Sequence, residues 1–377
     1  MNRLRALALS PVPYEGAGCR FRVAQYLPYL ESQGIDLTIA PFYSRAFFDL
    51  VYRPGHYVQK SLHFLRQTVA RLATVVRRGR YDLVFIYREA FPIGPPLIEA
   101  ALGALNVPLV YDFDDAVFLE NTSDANQRVA ALKCPGKVAS IIRRCDQVIA
   151  GNEYLAAYAR RHHSAVHVIP TSVDVDVFVP RATPPALDAP PVVGWIGTPT
   201  TAAYLQELGP VLQALSRDHR FVFRVAGASA GLEVSGVFVD NIAWSLDGEV
   251  ELFNACDIGV YPLKDDEWSK GKCGFKAIQF MACGVPVVAA AVGVNREIIE
   301  DGVNGFLAST PGEWQAKLQR LLDDPHLRRR MGVAGRRTVQ ERYSVQVNAP
   351  RVADVLWQAA AIGRSTVPLA QVSGGPR

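Results

Sequence analysis

Short apolar runs alternate with segments of helical spacing along most of the chain. In the first half the strand-like runs are Arg5–Leu9, Ile35–Ala40, Asp82–Tyr87, Pro108–Phe113, Gln147–Gly151 and His167–Pro170. Several are apolar throughout, the pattern of parallel strands buried on both faces. Between them, Phe21–Gln33 carries apolar residues at 23, 26, 27 and 30 and is followed by Gly34 as a stop signal. His63–Arg78 and Val138–Cys145 are two further predicted helices. Alternating β and α units predict a parallel α/β sheet.

The segment Pro180–Pro191 holds five prolines and can continue neither a helix nor a central strand. After it the alternation restarts. Strands are predicted at Val192–Ile196, Phe221–Ala226, Val237–Val239, Asp257–Pro262, Val285–Ala289 and Gly305–Ala308. Helices are predicted at Thr201–Leu215, Gly248–Ala255, Phe275–Cys283, Asn295–Glu300, Glu313–Met331 and Val345–Ala361. The economical architecture is two Rossmann-like domains, 1–172 and 192–344, joined by a hinge at 173–191. A helix at 345–361 and a tail at 362–377, expected to be mobile, complete the chain. Open α/β sheets bind ligands beyond the carboxyl ends of their strands, so two facing sheets enclose an interdomain cleft.

The 377 residues are 49% apolar and 20% charged, which excludes a disordered or collagen-like chain. Forty Lys+Arg against 36 Asp+Glu give a net charge of +4, too small a surplus for a dedicated nucleic-acid binder. The six cysteines, at 19, 134, 145, 256, 273 and 283, include no C-x-x-C pair, so no zinc ribbon or thioredoxin motif is supported. Sparse thiols in a long chain suggest a reducing, cytoplasmic setting. The apolar run before Pro11 reads as a buried first strand rather than a secretion signal. No uncharged apolar stretch is long enough to span a bilayer.

Four places carry candidate chemistry. Gly16 and Gly18 lie between the first strand and the first helix, where backbone N–H groups can approach an anion; an ordinary turn is the plainer reading. Arg20 and Arg22 follow, as added positive charge or as solvated helix surface. Gly197 and Thr198 hold the equivalent place at the start of the second domain, with capping by Thr200 or Thr201 as the alternative. Lys270, Lys272 and Lys276 surround a glycine-containing turn that opens a helix, and Gly284 ends that helix. Cations are unfavourable at a helix N-terminus unless an anion is present, which points to a diphosphate; three solvated lysines are the plainer reading. Asp112, Asp114 and Asp115 stand at the end of a first-domain strand, able to orient a hydroxyl, to bind a cation, or to cap the following turn and pair with arginine. His162, His163 and His167 read as surface or packing residues, and no metal set is completed.

The run Gly274–Ala289, continued by Val292–Ile299 and Glu300–Leu307, resembles the donor-site region of GT-B glycosyltransferases of the large retaining family four. Gly16-Ala-Gly18 with Arg20 resembles that family's N-terminal glycine loop. Val168–Asp174 with Phe178, and Glu251–Asp257 through Pro262, resemble its hinge-proximal and pre-donor segments. The resemblance implies a GT-B α/β fold, with two Rossmann-like domains facing a cleft and a C-terminal helix crossing back to the first. It implies transfer of a sugar from a nucleotide-diphosphate donor to an acceptor hydroxyl with retention, without a metal or a further cofactor. Donor contacts are then expected from Gly16, Gly18, Gly197, Thr198, Lys270, Lys272, Lys276, Gln279, Asn295 and Glu297; the catalytic candidates Asp112 and Asp114 come from the strand-end carboxylates themselves, not from the resemblance. The acceptor (a glycan, a lipid-linked sugar or a small aglycone) and the oligomeric state are left open.

The sequence departs from the family pattern at three points, the first being Asp112–Asp115, near which many relatives have a functional histidine and this sequence has none. The family's two glutamates around the donor helix fall near Gly271 and on Gln279, whose amide can still bond a ribose hydroxyl. Thr198-Pro-Thr-Thr201 replaces an expected Arg and Lys, so Lys270, Lys272 and Lys276 are candidates for the displaced charge. A GT-B nucleotide-sugar epimerase and a non-catalytic nucleotide-binding relative remain alternatives. Arg66, Arg71, Arg77, Arg78 and Arg80 mark one helical region with apolar residues between them. It reads as a solvated face or as a peripheral contact with anionic lipid at the inner membrane face.

Overall fold

The two blocks of apolar alternation fold into two sheets. The computed structural model describes residues 3–51, 53, 55–119, 134–182, 189–228 and 231–365. The first sheet contains β1 (Leu4–Ser10), β2 (Ile35–Pro41), β3 (Leu83–Tyr87), β4 (Leu109–Phe113), β5 (Gln147–Ala150) and β6 (Val166–Val168), in the order β2-β1-β3-β4-β5-β6. The second contains β7 (Val192–Ile196), β8 (Val222–Ala226), β9 (Phe238–Ile242), β10 (Ile258–Tyr261), β11 (Val287–Ala290) and β12 (Phe306–Ala308), in the order β12-β11-β10-β7-β8-β9. Every pairing in both sheets is parallel. β3, LVFIY, and β4, LVYDF, are buried at every position, as strands covered on both faces must be.

Helices of the first half are α1 (Ala17–Arg22), α2 (Leu27–Ser32), α3 (Arg45–Val51), α4 (Tyr57–Val76), α5 (Leu97–Ala104), α6 (Lys137–Ile142) and α7 (Glu153–Arg160). Those of the second are α8 (Gly209–Leu215), α9 (Glu249–Asn254), α10 (Glu267–Lys270), α11 (Phe275–Ala282), α12 (Asn295–Ile298), α13 (Pro311–Asp323), α14 (Pro325–Thr338) and α15 (Val345–Ser365).

Three helices expected to be continuous are broken, and each resumes as an α-helix at a proline. Phe21–Gln33 divides into α1, a 3-10 turn at Ala24–Tyr26, and α2, which opens at Leu27-Pro28. Thr201–Leu215 divides into a 3-10 segment at Ala202–Glu207 and α8, opened by Gly209-Pro210. Glu313–Met331 divides before Pro325, where Asp324 accepts from the Leu327 N–H at 2.8 Å. Proline has no N–H to donate, which is harmless only in a helix's first turn, so each proline starts a new helix. The stop signals act as expected: Gly34 and Gly284 have φ of +77° and +69°.

α15 leaves the second domain and packs on the first sheet. Its Val352, Val355, Leu356 and Ala359 share one core with Leu4, Ala6, Ala8 and Val110. The helix runs to Ser365, past the expected end at 361; the rest of the tail, 366–377, and linker residues 183–188 lie outside the described residues. Among the described residues no helix is long and apolar enough to cross a membrane.

Candidate functional site

The carboxyl ends of β1, β4 and β5 meet loops of the second domain. At β4, Asp112 is buried and held by Arg22, whose Nε and NH2 donate to its two oxygens at 3.0 and 2.6 Å. Burial pushes the Asp112 carboxyl up to about 6, against the opposing pull of Arg22. Burial would lower Arg22, but Asp112 reverses this and its net shift is upward. Asp114 accepts from the Tyr87 hydroxyl at 2.9 Å and from Arg88 Nε at 2.8 Å. Arg88 has a left-handed backbone, φ +59°, just past β3, and its NH2 also reaches Asp115 at 2.5 Å. Burial would raise Asp115, but Lys272 and Arg88 hold it below the usual carboxylate range.

The loop before α11 closes onto this edge. Lys272 Nζ donates to Asp115 Oδ1 at 3.0 Å, across the domain boundary. Asn152 caps α7 by accepting from the Leu155 N–H at 2.9 Å, while its Nδ2 donates to the carbonyls of Gly271 and Lys272 at 3.2 and 3.0 Å. Cys273 Sγ donates to the Asp114 carbonyl at 3.1 Å. A Cβ on Gly271 would lie 2.5 Å from Ala116 Cβ, so packing against the first domain leaves this position no room for a side chain.

A second cross-domain cluster is buried beside it. Arg20 NH2 donates to Glu249 Oε2 at 2.8 Å, with both side chains more than nine-tenths buried. Lys276 Nζ lies 3.7 Å from Glu249 Oε1 and donates to Gln279 Oε1 at 2.8 Å. Gln279 Nε2 donates to Glu249 Oε1 at 3.3 Å. Burial lowers the Lys276 pKa, and Glu249 only partly restores it. Arg20 Nε and NH1 are buried with no hydrogen-bond partner, and its guanidinium lies 4.6 Å from the Phe21 ring and 5.8 Å from that of Trp244. Two cations therefore share one carboxylate, and two N–H donors are unsatisfied. That arrangement favours an incoming anion.

The expected site residues do not all converge. Lys270, Lys272 and Lys276 do not form one patch around the helix start: Lys270 pairs with Glu267 at 2.7 Å, Lys272 with Asp115, and Lys276 with Glu249. The chain bends between them, and each ammonium finds its own carboxylate. Lys270 and the exposed Glu297 instead line a pocket of about 300 Å³ with Asn152, Tyr154 and Val292. Asn295 is fully buried; its Nδ2 donates to the Ala290 carbonyl at 2.9 Å, and its Oδ1 is unpartnered. Gly16 caps α1 against Val12, and Gly18 lies so close to the Tyr87 hydroxyl that no Cβ fits. Gly197 packs on the Trp195 ring, and the Thr198 N–H donates to Thr201 Oγ1 at 3.0 Å, so these threonines cap their own turn.

Arg22, readable from the sequence as solvated surface, is nearly fully buried. Glu249, Arg88 and Asn152 carry no motif; a charged residue directly after an apolar strand was the one signal that marked Arg88.

The model for Glycosyltransferase Family 4 matches residues 18–177, and that for Glycosyl transferases group 1 matches residues 191–324. A D-inositol 3-phosphate glycosyltransferase of Nocardiopsis dassonvillei is 27% identical over 269 residues, 60% of each chain. One from Segniliparus rotundus is 27% identical over 263 residues, 61% of this chain and 57% of its own. The chain thus matches less than two thirds of the length of these curated relatives. Among solved structures, sucrose-phosphate synthase from Thermosynechococcus elongatus superposes with a TM-score of 0.67 at 18% identity, covering 96% of this chain and all of the other. Anabaena HepE in complex with UDP-glucose gives the same TM-score and identity over 94% of this chain and 100% of its own. Two glycosyltransferase matches laid end to end, on a two-sheet fold shared with solved glycosyltransferases, place this protein in the GT-B glycosyltransferases of the family-four type.

Proposed function

We propose that the protein transfers a sugar from a nucleoside-diphosphate donor to an acceptor hydroxyl, with retention at the anomeric carbon. The observation that carries this reading is the buried Arg20–Glu249–Lys276 cluster, with its two unsatisfied guanidinium donors. It joins the helix start after β1 to the donor helix α11, where a diphosphate would bridge the domains. Glu249 acts as an internal counter-ion, which the diphosphate displaces from Arg20 and Lys276. As the bond from the anomeric carbon to the leaving oxygen breaks, these cations meet the charge that develops on the diphosphate. Gln279 is the group for the donor ribose. No metal or resident cofactor enters the scheme. Two findings support the donor class: the curated relatives are named as glycosyltransferases, and the HepE structure is a UDP-glucose complex.

On the acceptor side, of the two strand-end candidates Asp114 rather than Asp112 is the carboxylate that orients the hydroxyl, its side chain keeping 13% exposure against 3%, while the neighbouring Asp115 is taken up by Arg88 and Lys272. Asp112 is a positioning residue that fixes Arg22 and, through it, α1. Six unpaired cysteines, five of them buried, suit a cytoplasmic setting.

The test is product analysis with a panel of nucleotide sugars. Acceptor-dependent release of nucleoside diphosphate, or slow hydrolysis without an acceptor, is the expected result. Isomerisation of the sugar would make the protein an epimerase instead, and binding without turnover a non-catalytic relative.

A further inference from the structure

α4 has two apolar faces, and only one is covered. On the covered face the Phe64 ring meets Phe42 and Phe91 at 5.3 and 5.6 Å, and His63 stacks on Phe47 at 5.4 Å. The buried Arg71 donates to the carbonyl of Ser10, the last residue of β1, at 3.1 Å. The opposite face carries Val58, Leu62, Leu65, Val69, Leu72 and Val76. Alternating steps of four and three put these on one stripe along the whole helix. All six are exposed, from 52% at Leu72 to 76% at Val76. Single exposed leucines need no explanation, but an aligned row of six does.

Charge decides what covers the row. From Val51 to Tyr81 the sequence has no Asp or Glu, yet it carries Arg53, Arg66, Arg77, Arg78 and Arg80 besides the buried Arg71 and besides Lys60, which lies on the far side of α4 and donates to the Arg53 carbonyl. A second copy docked stripe to stripe would bring such cations against their own mates, with no carboxylate on the helix to pair them. An anionic lipid surface complements both the row and its flanks. We propose that α4 is a docking helix that lies flat on anionic membrane, its stripe sunk to the acyl boundary and its cations among the headgroups. Because Arg71, Phe42 and Phe91 tie it to the carboxyl ends of β1, β2 and β3, docking brings the cleft edge of the first sheet to the bilayer. The inference stands on spacing, exposure and charge, and does not rest on the transfer reaction.

The test is co-sedimentation of the full chain with vesicles of phosphatidylcholine, alone or with one third phosphatidylglycerol. Binding to the anionic vesicles is expected, weak on the neutral ones and reduced by salt. The double variant Leu65→Gln/Leu72→Gln should lower partitioning about tenfold or more, with an unchanged near-UV circular dichroism spectrum. Arg66→Glu/Arg77→Glu should lower binding to the anionic vesicles alone. Failure of the wild type to sediment with anionic vesicles overturns the proposal, as does undiminished binding by the folded leucine variant. So does a wild-type dimer that the leucine variant turns into a monomer, which would make the stripe an interface between copies.

Discussion

Replacing Glu249 with glutamine separates the diphosphate reading from a purely structural one. The change keeps the side chain's size and one acceptor oxygen, but removes the charge that lies 2.8 Å from Arg20 and 3.7 Å from Lys276. Leaving buried cations uncompensated typically destabilises by about 3 kcal/mol or more, and two such cations are present. For 377 residues unfolding together that corresponds to a melting midpoint lower by about 4 °C. The same substitution removes the group an incoming diphosphate must displace. Nucleoside diphosphate should then bind about tenfold to a hundredfold tighter, and stabilise the variant by about 1.4–2.7 kcal/mol more than it stabilises the wild type. The assay is thermal unfolding at low ionic strength with UDP, GDP or ADP, and with the parent nucleosides as controls. A variant less stable alone and rescued by a diphosphate is the expected outcome. If the diphosphates stabilise it no more than they do the wild type, or if the nucleosides rescue it equally, the cluster is a structural ion pair and not the leaving-group site.

Three further perturbations probe the same site. Lys276→Met should weaken nucleoside diphosphate binding by about tenfold to a hundredfold, the worth of one charge-assisted hydrogen bond, by calorimetric titration. Burial lowers the Lys276 pKa from 10.5. The unfolded chain therefore binds more protons just below that pH, and this group's contribution to stability rises with pH across the window. Diphosphate affinity runs the other way: it should fall before pH 10.5 is reached and be accompanied by proton uptake, and Lys276→Met should abolish both effects. Gly271→Ala should destabilise by about 1–3 kcal/mol, since its Cβ would sit 2.5 Å from Ala116 Cβ, and Ala116→Gly should recover part of the loss; additive losses in denaturant unfolding would refute the contact. Burial pushes the thiols of Cys19, Cys256 and Cys283 up to about 11, 12 and 12, and raises those of Cys145 and Cys273 as well. A thiol reagent should therefore modify the half-exposed Cys134 first in the native protein, and rapid labelling of a second thiol would contradict the burial.

The sheets were legible because parallel strands covered on both faces leave a one-dimensional trace, an unbroken apolar run, that needs no partner to be recognised. The helices were less so. Periodicity averages across a single residue, so Pro28, Pro210 and Pro325 were swallowed by windows whose apolar spacing continued through them. α5, LIEAALGA, is so nearly apolar that it shows no polar face to mark its period. At the site, the basic glycine turn at the start of α11 stood out in the sequence, but what its lysines do depends on residues that approach from elsewhere: Asp115 after β4, and Glu249 at the head of α9. Net positive charge near a helix N-terminus argued for an anion. Part of that anion is the protein's own, and what remains is the excess: two cations to one carboxylate, with two guanidinium donors left over. Gly271 shows the same limit from the opposite side. Along the sequence it reads as a missing side chain, whereas in the fold Ala116 occupies that space. The absent side chain and the tight seam between the domains are one feature, because Ala116 fills the space a Cβ would need.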